Sequence, residues 1–349
     1  MIVENAEKTS KPDGVDRFLP WFNLALAILL IGLGIWYLSD KVSFEEIIQA
    51  MLLADPKYIL LGLAITLVTM VLKSWRWQLM LMTPDKSPPF SPVFWSLMLG
   101  QYVNLIVPFL RLGEIARIYA LNRQIDIPMA RSLGTLVLEK VLDMFVFVLA
   151  IALVLPLVIL PEFVNEPGLF VWVLPVIALL ILYLMAYQTE IIVRFFSAVE
   201  EKTPTRLAKR LLKWSISGLE GLSALRSRRL SLLLVGSSAL IIFLSILVPY
   251  VIFAAFDIQL GLVEAAVIHI VVTIASTPPS TPGKIGIFNG AAAFMLLSFG
   301  LDDEAIIISY SIVFLLVVIV PQIALGGIAA GRTNWRWHKT KGQRSAMFE

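Results

Sequence analysis

Twenty-five consecutive residues, Leu232–Phe256, carry no charge. A helix of that length rises about 37 Å, enough to cross the ~30 Å of bilayer hydrocarbon. Five further apolar runs read as spans: Trp21–Leu38, Tyr58–Leu72, Ser132–Val158, Leu169–Tyr187 and Ala305–Ala330. The whole chain agrees with this, since 58% of its 349 residues are hydrophobic and 15% charged, against roughly 25% charged in soluble domains. The reading is an all-α polytopic integral membrane protein with about six full transmembrane helices. A polar tail precedes Trp21–Leu38 and no small-residue cleavage site follows it, so it is expected to stay as an anchor. After Tyr58–Leu72 comes KSWRWQ, where Lys73, Trp75, Arg76 and Trp77 suit an interfacial anchor.

Two apolar runs are too short to cross. Leu262–Ala275 has fourteen residues, about 21 Å of helix, and ends in STPPSTPGKIGIFNG, Ser276–Gly290. Proline removes a backbone donor and glycine weakens a helix, so Pro279, Pro282, Gly283 and Gly286 break any straight helix there. The expected course is a re-entrant hairpin, entering through Leu262–Ala275 and returning through Ile287–Gly300. Val93–Val107 repeats the pattern, breaking at Pro108 with Gly113 close behind and returning through Glu114–Leu121. Broken backbone at membrane depth is tolerated where it is buried in protein or lines a wet cavity.

Charge supports this layout. Of the 28 lysines and arginines, 24 fall on one side if the N-tail is cytoplasmic and both hairpins are re-entrant. Lys41 and Lys57 fall outside, while Lys140 and Lys284 lie in apolar surroundings. That split obeys the positive-inside rule. The resulting segments are a cytoplasmic tail (1–19), an anchor and external loop (20–57), a first repeat (58–158, hairpin 93–121), a linking helix and basic interfacial segment (159–231), a second repeat (232–331, hairpin 262–300) and a cytoplasmic tail (332–349). Span, hairpin, span recurs with opposite starting sense, making the halves inverted repeats of the kind that build transporters with mid-membrane sites. Thr203–Leu225 alternates Leu207, Leu211 and Trp214 with Arg206, Lys209 and Arg210, as an interfacial helix would. Phe44–Met51 reads as a short surface helix outside.

The charged residues within apolar surroundings are the candidate site. Glu139, Lys140 and Asp143 share a span, Glu139 and Asp143 on one face, with Lys140 spaced to pair with Asp143. They serve either as a charge cluster pinning helices or as part of a substrate or proton path. Arg111, Glu114 and Arg117 follow the Pro108 break, where guanidinium groups at a helix start can hold phosphate. Lys284 occupies the matching place in the other hairpin, and either binds an anionic head group or snorkels. Asn104, Gln101 and Asn289 can line a cavity or satisfy broken backbone. His269 and His338 form no metal constellation, and the chain holds no cysteine, so neither a metal nor any cofactor is expected. Phosphate-loop and nucleophile-elbow motifs are absent, and the basic balance reflects membrane orientation rather than nucleic acid.

Three blocks, NLIVPFLRLGEIARIYAL (Asn104–Leu121), TLVLEKVLDM (Thr135–Met144) and STPPSTPGKIGIFNG, resemble successive blocks of the lysylphosphatidylglycerol synthase transmembrane-region family, also called the flippase-like domain family. The resemblance runs from about Tyr58 to Ala330. It implies a multi-pass inner-membrane protein that moves lipids with anionic head groups between leaflets. In bifunctional members a soluble C-terminal domain transfers an amino acid from tRNA to phosphatidylglycerol. This chain ends at Glu349, so the expectation is the transporter half alone, with a separately encoded lipid-modifying enzyme as a possible partner. The sequence departs from the family pattern in three places. Pro108-Phe109-Leu110-Arg111-Leu112-Gly113-Glu114 has an extra residue before the arginine of P-G-R-x-G-E, and Glu139-Lys140 replaces Glu-Arg. Pro282-Gly283-Lys284-Ile285-Gly286 gains a lysine over P-G-G-x-G, and Asn289 stands for the acid that follows.

Three functions fit. A lipid flippase would bind phosphate at Arg111 and Arg117 from inside and at Lys284 from outside, with Glu139 and Asp143 as gate or proton coupler. An ion-coupled carrier of a small solute could use the same repeats. A membrane enzyme of lipid phosphate metabolism is disfavoured by the lack of a paired acid–base or metal motif, so no enzyme is expected. The transported lipid is left open among phospholipids, aminoacylated phosphatidylglycerol and polyprenyl-phosphate-linked lipids.

Overall fold

A computed structural model describes residues 44–83, 87–107, 112–154, 157, 228–277 and 281–333. The tails, the Trp21–Leu38 and Leu169–Tyr187 spans, the basic segment Thr203–Leu225, and Pro108, Arg111 and Pro279 lie outside the described residues. Within them the regular structure is helical, in nine α-helices and one 3₁₀ turn. Three helices are long and apolar enough to cross a membrane: α2 (Pro56–Leu81), α6 (Arg228–Ala255) and α9 (Glu304–Arg332). Helix α5 (Met129–Val154) is as long as α2, at 26 residues, but Arg131, Glu139, Lys140 and Asp143 interrupt its apolar run.

The short runs form shorter helices, as their lengths require. The first pair is α3 (Phe90–Ile106) and α4 (Leu112–Gln124); the second is α7 (Leu262–Ala275) and α8 (Ile287–Ser298). Members of each pair pack against each other. Asp55 caps α2 by accepting from Lys57 N at 2.9 Å, with Pro56 at the first helical position, where its missing donor costs nothing. Asp303 caps α9 through Ile306 N at 3.0 Å. Helix α1 (Phe44–Leu53) lies on α9, where Ser309 Oγ donates to Ile47 O at 3.1 Å.

Helix α2 packs on α6, and this contact joins the two halves. Most of the other helix packings have a counterpart, the contacts of α1 with α9 and of α3 with the Pro282–Lys284 turn being exceptions. α2 touches α3 as α6 touches α7; α4 touches α5 as α8 touches α9; α2 touches α5 as α6 touches α9. Across the halves, α3 packs on α9 as α7 packs on α5, and α2 on α9 as α6 on α5. Exchanging the halves maps these five pairs of contacts onto one another. The second half encloses one apolar core, with Phe253, Phe288, Tyr310 and Phe314 in ring contact. The first hairpin builds another around Trp77, Met98, Leu99 and Leu121.

KSWRWQ is not an interfacial anchor. It lies inside α2, where Arg76 and Trp77 are 2% and 1% exposed, and only Trp75 faces outward. Arg117, counted among loop charges, is also 2% exposed. Arg76 and Arg117 are thus interior groups, each paired with a carboxylate.

Candidate substrate site

The first hairpin is held closed by two glycines. The backbones of α3 and α4 meet at Gly100 and Gly113, where a Cβ on Gly113 would collide with the Gly100 carbonyl and stand 2.5 Å from Asn104 Cγ. Asn104 Oδ1 accepts from Gly113 N at 2.8 Å, satisfying a donor at the start of α4 that has no helical partner. This close approach lets Glu114 and Arg117, one turn apart on α4, reach α5.

Arg117 grips Glu139 with Nη2 2.9 Å from Oε2 and Nη1 3.4 Å from Oε1. The same Nη2 lies 2.9 Å from Glu114 Oε2, and the guanidinium sits 4.8 Å from the centre of the Trp77 ring. Trp77 is fixed in turn, its indole N–H donating to Thr135 Oγ1 on α5 at 3.0 Å. Glu114 uses its other oxygen, Oε1, to hold Lys140 Nζ at 3.0 Å. One turn along α5, Asp143 accepts from Arg76 Nη1 at 2.6 Å, and the same nitrogen donates to Ser238 Oγ on α6 at 2.7 Å. Lys140 therefore does not pair with Asp143 as its spacing suggests. Each chooses a partner on another helix, so the charges of α5 tie α2, α4 and α6 together.

Beside this network lies a cavity of about 430 Å³, walled by both hairpins and by α2, α5, α6 and α9. Three lysines reach its lining: Lys73 from α2, Lys140 from α5 and Lys284 from the second hairpin. Glu114 is its one carboxylate among the described residues, with hydroxyls from Thr66, Thr69, Ser276 and Thr281 and the imidazole of His269. Lys73 Nζ makes no hydrogen bond and no ion pair among the described residues. Ser276 Oγ is buried without a hydrogen-bond partner in the same description. Lys284 is placed by a tight turn. Gly283, Lys284 and Gly286 have φ of 70°, 60° and 89°, and Lys284 N donates to Thr281 O at 2.9 Å. A lysine in the left-handed region carries a strain of about 1–2 kcal/mol that glycine avoids.

Of the residues singled out from sequence, Gln101, Asn104, Glu114, Lys140 and Lys284 line the cavity. Arg117, Glu139 and Asp143 stand behind it as paired ions. Asn289 is not part of the lining; its Oδ1 accepts from Gly286 N at 3.4 Å and its amide donates to Ser311 Oγ at 3.4 Å, which closes the second turn onto α9. Gly113 serves close packing rather than the break itself. Lys73 is the residue that reading the sequence missed, because its tryptophan neighbours made it look interfacial. Its signal is an ion in the middle of a 26-residue helix with no acid on the same helix.

The model of the lysylphosphatidylglycerol synthase transmembrane region matches residues 24–326. The chain belongs to this family. Among its relatives, a UPF0104 membrane protein of Methanocaldococcus jannaschii is 25% identical over 192 residues, 54% of this chain and 54% of its own length. The chain thus spans about half the length of that relative. Two UPF0104 membrane proteins of Methanothermobacter thermautotrophicus match more of the chain, 24% identical over 283 residues and 22% identical over 330. These cover 76% and 88% of this chain, and 80% and 92% of their own. No solved structure matches the chain. Within the synthase transmembrane-region family, the departures noted in the third block have distinct placements here. Lys284 enters the cavity, and Asn289 acts as a turn clamp outside it.

Proposed function

We propose that this family member is a membrane lipid transporter that carries a head group through the cavity between its two hairpins. The observation carrying this reading is Lys73, a cavity lysine whose ammonium makes no ion pair among the described residues, the carboxylates of Asp143 and Glu139 acting on it only from beyond ion-pair distance. An ion at membrane depth is expensive unless paired, so such a lysine is functional by default and its missing partner is an anion. Lys140 and Lys284 strengthen the field at that place. The break after Ala275 brings the hydroxyls of Ser276, Thr277 and Thr281 to the same space, which suits a wet site. On this reading the two helical pairs are re-entrant hairpins in inverted repeats, opening toward opposite faces of a plasma membrane with both termini cytoplasmic. The work is transport rather than catalysis, and a separately encoded lipid-modifying enzyme is a natural partner.

The test uses sealed proteoliposomes containing an acyl-chain-labelled fluorescent phosphatidylglycerol and dithionite, which does not cross the bilayer. The wild type should let dithionite reach nearly all the label; an empty liposome should lose only its outer-leaflet share. Lys73→Met should return the signal toward the empty-liposome value. Equal bleaching with and without folded protein would sink the reading.

A further inference from the structure

We propose that the cavity selects a phosphate-bearing anionic head group and rejects an aminoacylated one. This rests on the transport reading above and narrows its substrate class. An aminoacyl ester adds one or more ammonium groups beside the phosphate, and each needs an acceptor inside the protein. Glu114 is the one carboxylate on the lining among the described residues, and both of its oxygens are taken. Oε2 holds Arg117 at 2.9 Å and Oε1 holds Lys140 at 3.0 Å. Behind the lining, Glu139 is held by Arg117 at 2.9 Å and Asp143 accepts from Arg76 through Oδ1 at 2.6 Å, and neither reaches the lining.

An incoming ammonium would therefore meet Lys73, Lys140 and Lys284, and the one carboxylate on the lining among the described residues is already paired through both oxygens. Like charges a few ångströms apart in a poorly hydrated site repel strongly, and specificity of this kind comes from the repulsive element. A phosphate meets the opposite situation. Lys73 makes no ion pair, and Ser276 Oγ no hydrogen bond, within the described residues, and the hydroxyl can donate to an oxyanion. Asn289, the residue that replaces an acid in the third block, points its polar groups at Gly286 and Ser311 and restores no negative charge.

The experiment compares, in the same sealed proteoliposomes, acyl-labelled phosphatidylglycerol with acyl-labelled lysylphosphatidylglycerol. A third arm follows uptake of radiolabelled glycerol phosphate. The expected result is movement of phosphatidylglycerol at least roughly tenfold faster than its lysyl ester, with no glycerol phosphate uptake. Lys284→Gly keeps the left-handed turn that glycine readily adopts. It should slow phosphatidylglycerol and narrow the ratio. Lysyl ester moving as fast as phosphatidylglycerol would overturn the selectivity and leave lipid transport standing. Glycerol phosphate uptake without lipid movement would keep the anion selectivity and overturn the lipid reading. If none of the three moves while the protein stays folded, both fail.

Discussion

Glu114 joins Arg117 and Lys140 through different oxygens, at 2.9 and 3.0 Å, so one carboxylate connects a buried ion to an ion half-exposed in the cavity. The arginine side is 3% exposed and the lysine side 50%. This gradient separates the buried ion-pair network from the part of the site that faces the cavity, and the variants below divide along it.

Arg117→Ala should destabilise the protein by about 3–5 kcal/mol, because it leaves Glu139 buried and unpaired. Arg117→Lys should recover only part of this, since an ammonium cannot reproduce the forked contact or the stacking on Trp77. Replacing both partners together, as Arg117→Met with Glu139→Leu, should restore most of the loss. Thermal unfolding in detergent reads all three. A double variant no more stable than Arg117→Ala alone would show that the pair is not what holds α4 to α5.

Lys73→Met should behave in the opposite way. No ion pair is lost among the described residues, and an expensive charge leaves the membrane interior. The melting temperature should hold or rise while head-group transport falls. A large drop in stability would reveal a structural partner for this lysine.

Gly113→Ala should prevent the first hairpin from closing, since the added Cβ meets the Gly100 carbonyl and Asn104. Gly290→Ala is the matched control. It lies in α8 with nothing within 4 Å of the added Cβ, and gains about 0.5–1 kcal/mol from helix propensity. Folded yield after purification separates the two, and equal yields would contradict the packing described here.

Asn104→Ala should cost about 1 kcal/mol by stripping the acceptor from Gly113 N. Hydrogen exchange at the start of α4 should speed up in this variant. Unchanged protection at Gly113 would mean the cap contributes little.

Much of the fold was legible because length and punctuation act locally. Fourteen residues between a glycine and a proline cluster can form only a short helix, and α7 has the bounds Leu262–Ala275 that the run suggested. The ion pairs were not legible, because they are decided by neighbours far along the chain. Arg76 and Asp143 are 67 positions apart, and nothing in KSWRWQ distinguishes an arginine meant for headgroups from one meant for α5. Lys140 and Asp143 misled for the same reason: helical spacing shows which residues can meet, but not what another helix offers instead. Lys73 was obscured by both effects at once.

The exchangeable packing of the two halves has an energetic meaning. Most helix packings in one half have a counterpart in the other, so, on the transport reading, a second arrangement with the halves' conformations swapped would reuse many of the same kinds of contact, and transport would require it to lie close in free energy. Two nearly level basins need only a small bias to change places, and a ligand favouring one of them by a few kcal/mol is enough. On that reading, a feature peculiar to one half, such as the left-handed turn at Lys284, is where such a bias would enter.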